Sequence, residues 1–280
     1  MKNTDLHTHS YYSDGGMSPK ELVRLAKKMG IRNLALTDHN TTKGFREAMK
    51  EGNKVGVNVI PGVEIRTDKG EILGYFIDIN NKELNKELAR IRKKVQEKIK
   101  KTCYNLNKAG YNISFNEIWK KFLKARGNIN EFYPLFLLHL KGYGTTLEIA
   151  KEIRKKKLKK VRIKEISVIK AIKLINNAGG KAVIAHPWID KEILFEKNLK
   201  EYVKAGLRGI EINNGDREPI RNNKIVNRIK NLAKRYNLIL TSGSDYHGLK
   251  LVKQMPGNHD LGKNNCDEKV IKQLELLTEN

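Results

Sequence analysis

Three histidines and three aspartates fall within the first 39 residues. They lie in T-D-L-H-T-H-S (Thr4 to Ser10), S-D-G (Ser13 to Gly15) and T-D-H (Thr37 to His39). An H-x-H pair alone is weak evidence of anything, because isolated histidines are commonly structural. The pair His7 and His9 gains meaning from company: Asp14, Asp38-His39, Glu64, His186 and Asp245-x-His247, of which His39, Glu64, His186, Asp245 and His247, like His7, sit where strand-like runs end. Unpaired carboxylates are costly to bury, and divalent cations neutralise them. A mixture of imidazole and carboxylate without cysteine suits zinc, manganese or iron. The donors outnumber what one ion needs, so two or three ions are expected, with a carboxylate such as Glu64 bridging two of them. Such a centre activates water and clamps anionic oxygens. Phosphate-ester hydrolysis is the natural match, although amide hydrolysis uses similar clusters.

The elements that must position these residues alternate between strand and helix. A short strand ends at Asp5-Leu6-His7. Ser18-Pro19-Lys20-Glu21 starts a helix, with serine as N-cap, proline at the first turn and glutamate three residues on; the helix stops at Gly30. Strands are predicted over 33–37, 57–65 and 72–79, with a helix over 43–55. The period then changes. Leu84, Leu88, Ile91, Val95, Ile99 and Leu106 recur at helical spacing, and further helices are predicted around 114–126, 131–141 and 145–158. Strand and helix alternate again afterwards: helix 166–178, strand 181–185 ending at His186-Pro187, helix 191–205, strand 209–212, helix 218–236, strand 238–240 ending before Asp245 and His247, a long loop over 249–265 and a last helix over 267–277. In a β/α barrel the strand ends share one face, where active sites form. Residues 1–80 and 165–280 therefore read as one α/β barrel domain, and residues 81–164 as a helical insertion in it.

Length and composition fit one large core or two modest ones. No apolar run is long enough to cross a membrane, and no signal segment is read at the N-terminus. Cys103 and Cys266 match no disulfide or zinc framework, so a reducing cytoplasm is expected. The formal net charge is +25, and it is unevenly spread: 24 basic and 8 acidic residues lie between Asn81 and Glu165. A concentrated positive field attracts polyanions. A bland origin, lysine-rich composition on solvated helix faces, accounts for much of the total but less of the run Arg154-Lys155-Lys156-Lys157-Leu158-Lys159-Lys160.

In order, D-L-H-T-H-S-x-x-S-D-G, A-L-T-D-H-N, P-G-V-E-I, A-V-I-A-H-P, G-I-E-I-N-N and T-S-G-S-D-Y-H-G resemble the polymerase and histidinol phosphatase (PHP) phosphoesterases. The likeness covers roughly residues 3–80 and 165–250. It implies a distorted seven-stranded, TIM-like β/α barrel and usually three metal ions. Carried over residue by residue, His7, His9 and Asp245 would bind the first ion, and Glu64 would bridge it to a second that His186 also holds. Asp14, His39 and His247 would hold the third. Asp38, beside a ligand, is the catalytic candidate, orienting ligands or water; the alternative is that it only caps its loop. Glu71 stands where many relatives carry a histidine. It can still bind metal, but it lowers the net charge of the site and favours harder ions.

A helical insertion in this place is most similar to the subgroup acting on nucleotides, whose members remove the 3′-phosphate of 3′,5′-bisphosphonucleosides or trim RNA from its 5′ end. The expected substrate is accordingly a 3′,5′-bisphosphonucleotide or the 5′ end of a short RNA; no membrane contact and no protein partner are predicted. The substrate-facing Arg-x-His of relatives has no counterpart here, where the chain reads Glu131-Phe132-Tyr133-Pro134. Arg217 and His259 are candidate phosphate contacts. His139 and Trp119, with Phe122, read as packing within the insertion, base stacking being the alternative for the aromatics. Two rivals stand beside this reading: a phosphatase for a small metabolite such as histidinol phosphate, and a nucleic-acid-binding protein with a non-catalytic metal site.

Overall fold

The computed structural model describes residues 2–123, 132–158, 161–189, 191–214, 223–248, 260–263 and 266–276. The chain forms two compact units, Met1–Leu88 with Glu165–Asn280, and Ala89–Lys164. In the first, eight strands make one sheet: β1 (Lys2–Thr8), β2 (Asn33–Leu36), β3 (Asn58–Thr67), β4 (Gly70–Tyr75), β5 (Lys181–Ile184), β6 (Leu207–Asn214), β7 (Ile239–Gly243) and the two-residue β8 (Cys266–Asp267). Their spatial order is β7-β6-β5-β4-β3-β2-β1-β8. The ends of β1 and β7 meet through His9 N–H to Tyr246 O (2.9 Å) and Asp245 N–H to His7 O (2.8 Å). The seven main strands thus nearly close into a barrel, and β8 pairs antiparallel with β1 outside it.

Among the seven main strands, one departs from the parallel order. β1, β2 and β3 are mutually parallel, as are β5, β6 and β7, but β4 runs antiparallel to both neighbours. The cause is local: only Asp68 and Lys69 separate β3 from β4, and a parallel partner would need a crossover of a dozen residues or more. The consequence is functional. Residues at the start of β4 lie at the end of the barrel where the other strands finish. β4 is also shorter than the expected 72–79, because Phe76 turns left-handed (φ 57°).

Side-chain alternation divides the barrel interior into layers. Ile60 lies two positions before Gly62 and four before Glu64 on β3; Tyr75 and Leu73 lead to Glu71 on β4. The apolar members pack with Leu6, Ala35, Val183 and Ala185, and with Ile271 and Leu274 of the last helix, α10 (Lys269–Leu276). The carboxylates on the same faces emerge above them at the mouth.

Helices cover the outside of the sheet. The helix over Pro19–Lys28 (α1) has the capping box expected from Ser18 and Glu21, and buries Leu22, Val23 and Ala26. With the helix over Phe45–Val55 (α2) it packs on Leu34, Leu36 and Val59. α7 (Val168–Asn177), α8 (Glu196–Lys204) and α9 (Asn223–Arg235) follow in the second half. The region expected as one helix over 191–205 breaks at Phe195 into a 3-10 turn (Lys191–Leu194) and α8.

Between the halves, α3 (Lys82–Lys108) buries every apolar position read from its periodicity, and Cys103 besides. The second unit continues with α4 (Phe115–Ile118) running into a π-helical turn (Trp119–Leu123), then α5 (Tyr133–Leu140) and α6 (Thr146–Lys155). Trp119 is a correction to the expected core: it is 42% exposed. His139 Nδ1 bonds Gly144 O at 2.7 Å, closing the turn after α5. The Phe122 side chain, Glu131, Lys159 and Lys160 lie outside the described residues.

Barrel closure depends on a glycine. A Cβ on Gly243 would lie 2.4 Å from both Cβ and the backbone N of His7, and backbone cannot yield as a flexible side chain can. Gly243→Ala is expected to destabilise the protein by about 1–3 kcal/mol, the usual cost of overpacking. A urea midpoint unchanged from wild type would show that β1 and β7 do not close on one another here.

Candidate metal centre

Nine residues meet at the barrel mouth, from seven separate segments. His7 is the penultimate residue of β1 and His9 follows the strand; an irregularity in β1–β2 register between Asp5 and Thr8 marks the bend. Asp14 arrives on the next loop, His39 after β2, and Glu64 from β3. Glu71 comes from the beginning of antiparallel β4, His186 from the end of β5, and Asp245 and His247 from the segment after β7. Three overlapping donor groups result: His9, Asp14, His39 and His247; His7, His9, Glu64 and Asp245; and His39, Glu64 and Glu71, the donor atoms of each lying within 4.8 Å of one another. His186 joins the last, with Nε2 3.0 Å from Glu64 Oε1 and 3.5 Å from Glu71 Oε2.

Glu64 is the hub. It is fully buried, and its Oε2 has His39 Nδ1 at 3.0 Å, His7 Nε2 at 3.2 Å and His9 Nε2 at 3.3 Å. None of the three is aligned on it as a hydrogen bond. His9 Nε2 likewise lies 3.1 Å from Asp245 Oδ1 without that alignment. Donors spaced about 3 Å apart around a common point are what ligands at about 2.0–2.2 Å from one ion would show. The residues therefore fit divalent cations.

Without an ion the charges answer one another. Burial alone would lower the His7 pKa, yet Glu64 and Glu211 lift it well above the ordinary 6.5. His39 rises likewise: burial is outweighed by Glu64 and Asp14. His247 is raised to about 9, because Asp14 and Asp245 overcome burial. His9 goes the other way, down to about 4, through burial and the neighbouring His247 and His39. Burial would raise Asp14 and Glu64, but the surrounding imidazoles hold both well below the usual carboxylate range.

Backbone strain collects at the same place. His186 (φ 22°), Asp245 (φ 54°) and Asn40 (φ 53°) are left-handed, a conformation that costs non-glycine residues about 1–3 kcal/mol each. Each is held by its neighbours: Asp245 by His7 O, and Asn40 by donating to Glu64 O at 2.8 Å.

Asp38 belongs to none of the three donor groups. Its Oδ1 accepts from Ser10 N–H (2.7 Å) and Ser13 Oγ (2.6 Å), and its Oδ2 from Ser10 Oγ (2.7 Å). These bonds hold the turn that carries His9 and Asp14. Gly15 in that turn sits so close to the chain that an added Cβ would fall 2.3 Å from His9 O.

Four positions escaped the sequence reading. Asp5 is fully buried and accepts from the N–H groups of His7 (3.2 Å), Ser244 (2.9 Å) and Gly262 (2.9 Å). Ser10 and Ser13 serve Asp38. Glu211, a lone acid in the apolar strand β6, is fully buried and reaches His7 Nδ1 at 3.0 Å. The available signal was the acid itself: no other charged residue interrupts Gly209-Ile210-Glu211-Ile212. Arg217 and His259 lie outside the described residues.

The family model for the PHP domain matches residues 5–215. The chain belongs to the PHP family. It is a metal-dependent phosphoesterase, hence a hydrolase. It is 31% identical to a 3′,5′-nucleoside bisphosphate phosphatase of Chromobacterium violaceum over 257 residues, covering 88% of each chain. It is 30% identical to the 5′-3′ exoribonuclease Rnm of Salmonella typhimurium, covering 87% of this chain and 84% of that one. The same fold recurs in the solved structure of a Bifidobacterium adolescentis protein assigned as a metal-dependent phosphoesterase: TM-score 0.85, 24% identity, 98% of this chain and 95% of that one. No described helix is long and apolar enough to cross a membrane.

Imidazoles must be neutral to ligate, so ion uptake displaces the protons they share with the carboxylates. Adding manganese or zinc to metal-free protein at neutral pH in weak buffer is expected to acidify the solution, and affinity is expected to fall as pH is lowered. Uptake with no proton release would contradict the imidazolium–carboxylate arrangement. For Asp38→Asn, three donors converge on a group that has lost one acceptor oxygen. The expected cost is about 1–3 kcal/mol, measured by denaturant unfolding; an unaltered midpoint would mean the Ser10–Ser13 turn does not depend on it.

Proposed function

We propose that this PHP chain hydrolyses a phosphate ester of a nucleotide, with a 3′,5′-bisphosphonucleotide as the leading substrate. The observation that carries it is the convergence of nine metal-competent side chains at the mouth of a barrel whose sequence is 31% identical, over 88% of both chains, to a bisphosphonucleotide phosphatase. The 5′ end of a short RNA is the second reading, favoured by likeness to an exoribonuclease and by the excess of basic residues between Asn81 and Glu165.

His7, His9, Glu64 and Asp245 would hold one ion, Glu64, Glu71 and His186 a second, and Asp14, His39 and His247 a third. When bound, such ions activate water and offset charge on the phosphate oxygens. The chain's own residues do the positioning. Asp38 fixes the turn bearing His9 and Asp14, and Asp5 ties β1 to the segments around Ser244 and Gly262. The second set has the highest share of carboxylate and the fewest imidazoles, and Glu71 is 20% exposed where Glu64 is fully buried. We assign it the hardest ion, manganese by preference. Arg217 and His259 are the proposed phosphate contacts. A reducing compartment such as the cytoplasm suits Cys103 and Cys266, both free and buried, their thiols pushed up to about 12 chiefly by burial.

Purified, metal-loaded protein is expected to release phosphate from a 3′,5′-bisphosphonucleotide faster than from histidinol phosphate. Joint replacement of His186 and Asp245 by alanine and asparagine should lower the rate by more than the roughly 100-fold that supporting residues cost. Cleavage of histidinol phosphate with both nucleotide substrates ignored would overturn the substrate assignment. Glu71→His is expected to move the metal preference from manganese towards zinc in a competition experiment; an unmoved preference would remove Glu71 from the centre.

A further inference from the structure

We infer that Glu211 is a positioning residue that sets two parts of the metal centre at once, from a strand that contributes no ligand of its own. Its carboxylate spans two elements. Oε1 lies 3.0 Å from His7 Nδ1, and Oε2 accepts the backbone N–H of His186 at 2.8 Å. The side chain is fully buried, so neither oxygen has water as an alternative partner.

Each contact has a distinct effect. An ionised carboxylate only accepts, so His7 Nδ1 must carry the hydrogen. The other nitrogen, Nε2, is then the one turned towards Glu64 Oε2 (3.2 Å) and Asp245 Oδ1 (3.4 Å). An imidazole whose far nitrogen donates to a carboxylate is oriented and made more basic as a ligand. On the other side, His186 occupies a strained backbone conformation (φ 22°). The bond from its N–H holds that conformation, and with it the aim of Nε2 at Glu64 Oε1 and Glu71 Oε2. One carboxylate thus couples the His7 group to the His186 group. The third set, Asp14, His39 and His247, contains neither His7 nor His186. The alternative is a buried acid that only braces β6 against its neighbours.

This inference rests on the metal centre proposed above, and the test separates the two. In Glu211→Gln the amide keeps one acceptor, so one of the two bonds is lost while shape is retained. Calorimetric titration of metal-free protein with manganese, together with metal content per chain after dialysis, should show about 10- to 100-fold weaker binding of the ions served by His7 and His186. Binding at the Asp14 group should be unchanged. Nitrogen-15 spectra of the histidines in zinc-loaded wild-type protein, where the ligating imidazoles are neutral, should show the His7 hydrogen on Nδ1, slow to exchange. This reading needs no variant, so it still decides the matter if Glu211→Gln fails to fold. Glu211→Gln that binds manganese as tightly as wild type, or a wild-type His7 protonated at Nε2 alone, overturns the clamp. Wild-type protein that takes up no divalent ion would instead overturn the metal centre.

Discussion

Burying several carboxylates in one barrel mouth demands compensating positive charge, and the rest of the structure is arranged around that demand. Glu64 is fully buried, and Asp14 and Asp245 nearly so. Isolated carboxylates there would be protonated or would unfold the site. Five imidazoles share the space and lend protons, but the atoms that matter most, Glu64 Oε2 and His9 Nε2, meet without hydrogen-bond alignment. A cation resolves what protons resolve poorly. The left-handed His186 and Asp245 show the same priority, since backbone strain is accepted in order to aim ligands.

Chain topology makes the convergence possible. Five strands deliver residues of the centre at or beyond their C-terminal ends, as a β/α barrel does. β4 delivers Glu71 at its N-terminal end because the β3–β4 hairpin reverses it. The period-two alternation that sends Leu73 and Tyr75 into the apolar layer sends Glu71 to the mouth. Around the ligands lies a ring of buried acids, Asp5, Asp38 and Glu211, each bound to backbone or hydroxyl donors as well as to the ligand segments. Their work is positional: they fix segments whose side chains then face the centre.

Much of this was legible in the sequence, and the gaps have physical causes. The Ser18–Glu21 capping box and the apolar periodicity of α3 depend on near neighbours, and both were read correctly. Most residues of the candidate centre could be picked out because they sit where apolar runs stop. The direction of β4 was not read, because strand polarity depends on a hairpin two residues long and not on the strand's own residues. Glu211 was passed over inside a quoted motif, because its partners, His7 and the His186 backbone, lie 204 and 25 residues away. Asp38, read as orienting ligands or water or else capping its loop, accepts from Ser10 and Ser13 with both oxygens, partners that its place beside His39 does not reveal. Trp119 lay on an apolar-looking stretch and turned out exposed.

The central claim is that the mouth of this barrel is a polynuclear metal centre with Glu64 at its hub. Anomalous diffraction from manganese-loaded crystals tests it most directly. The account predicts separate peaks within about 2.0–2.3 Å of donor atoms in each of the three groups, two of them sharing Glu64. Crystals grown in excess manganese that show no peak there, with Glu64 still surrounded by the three histidines at hydrogen-bonding distance, would contradict it.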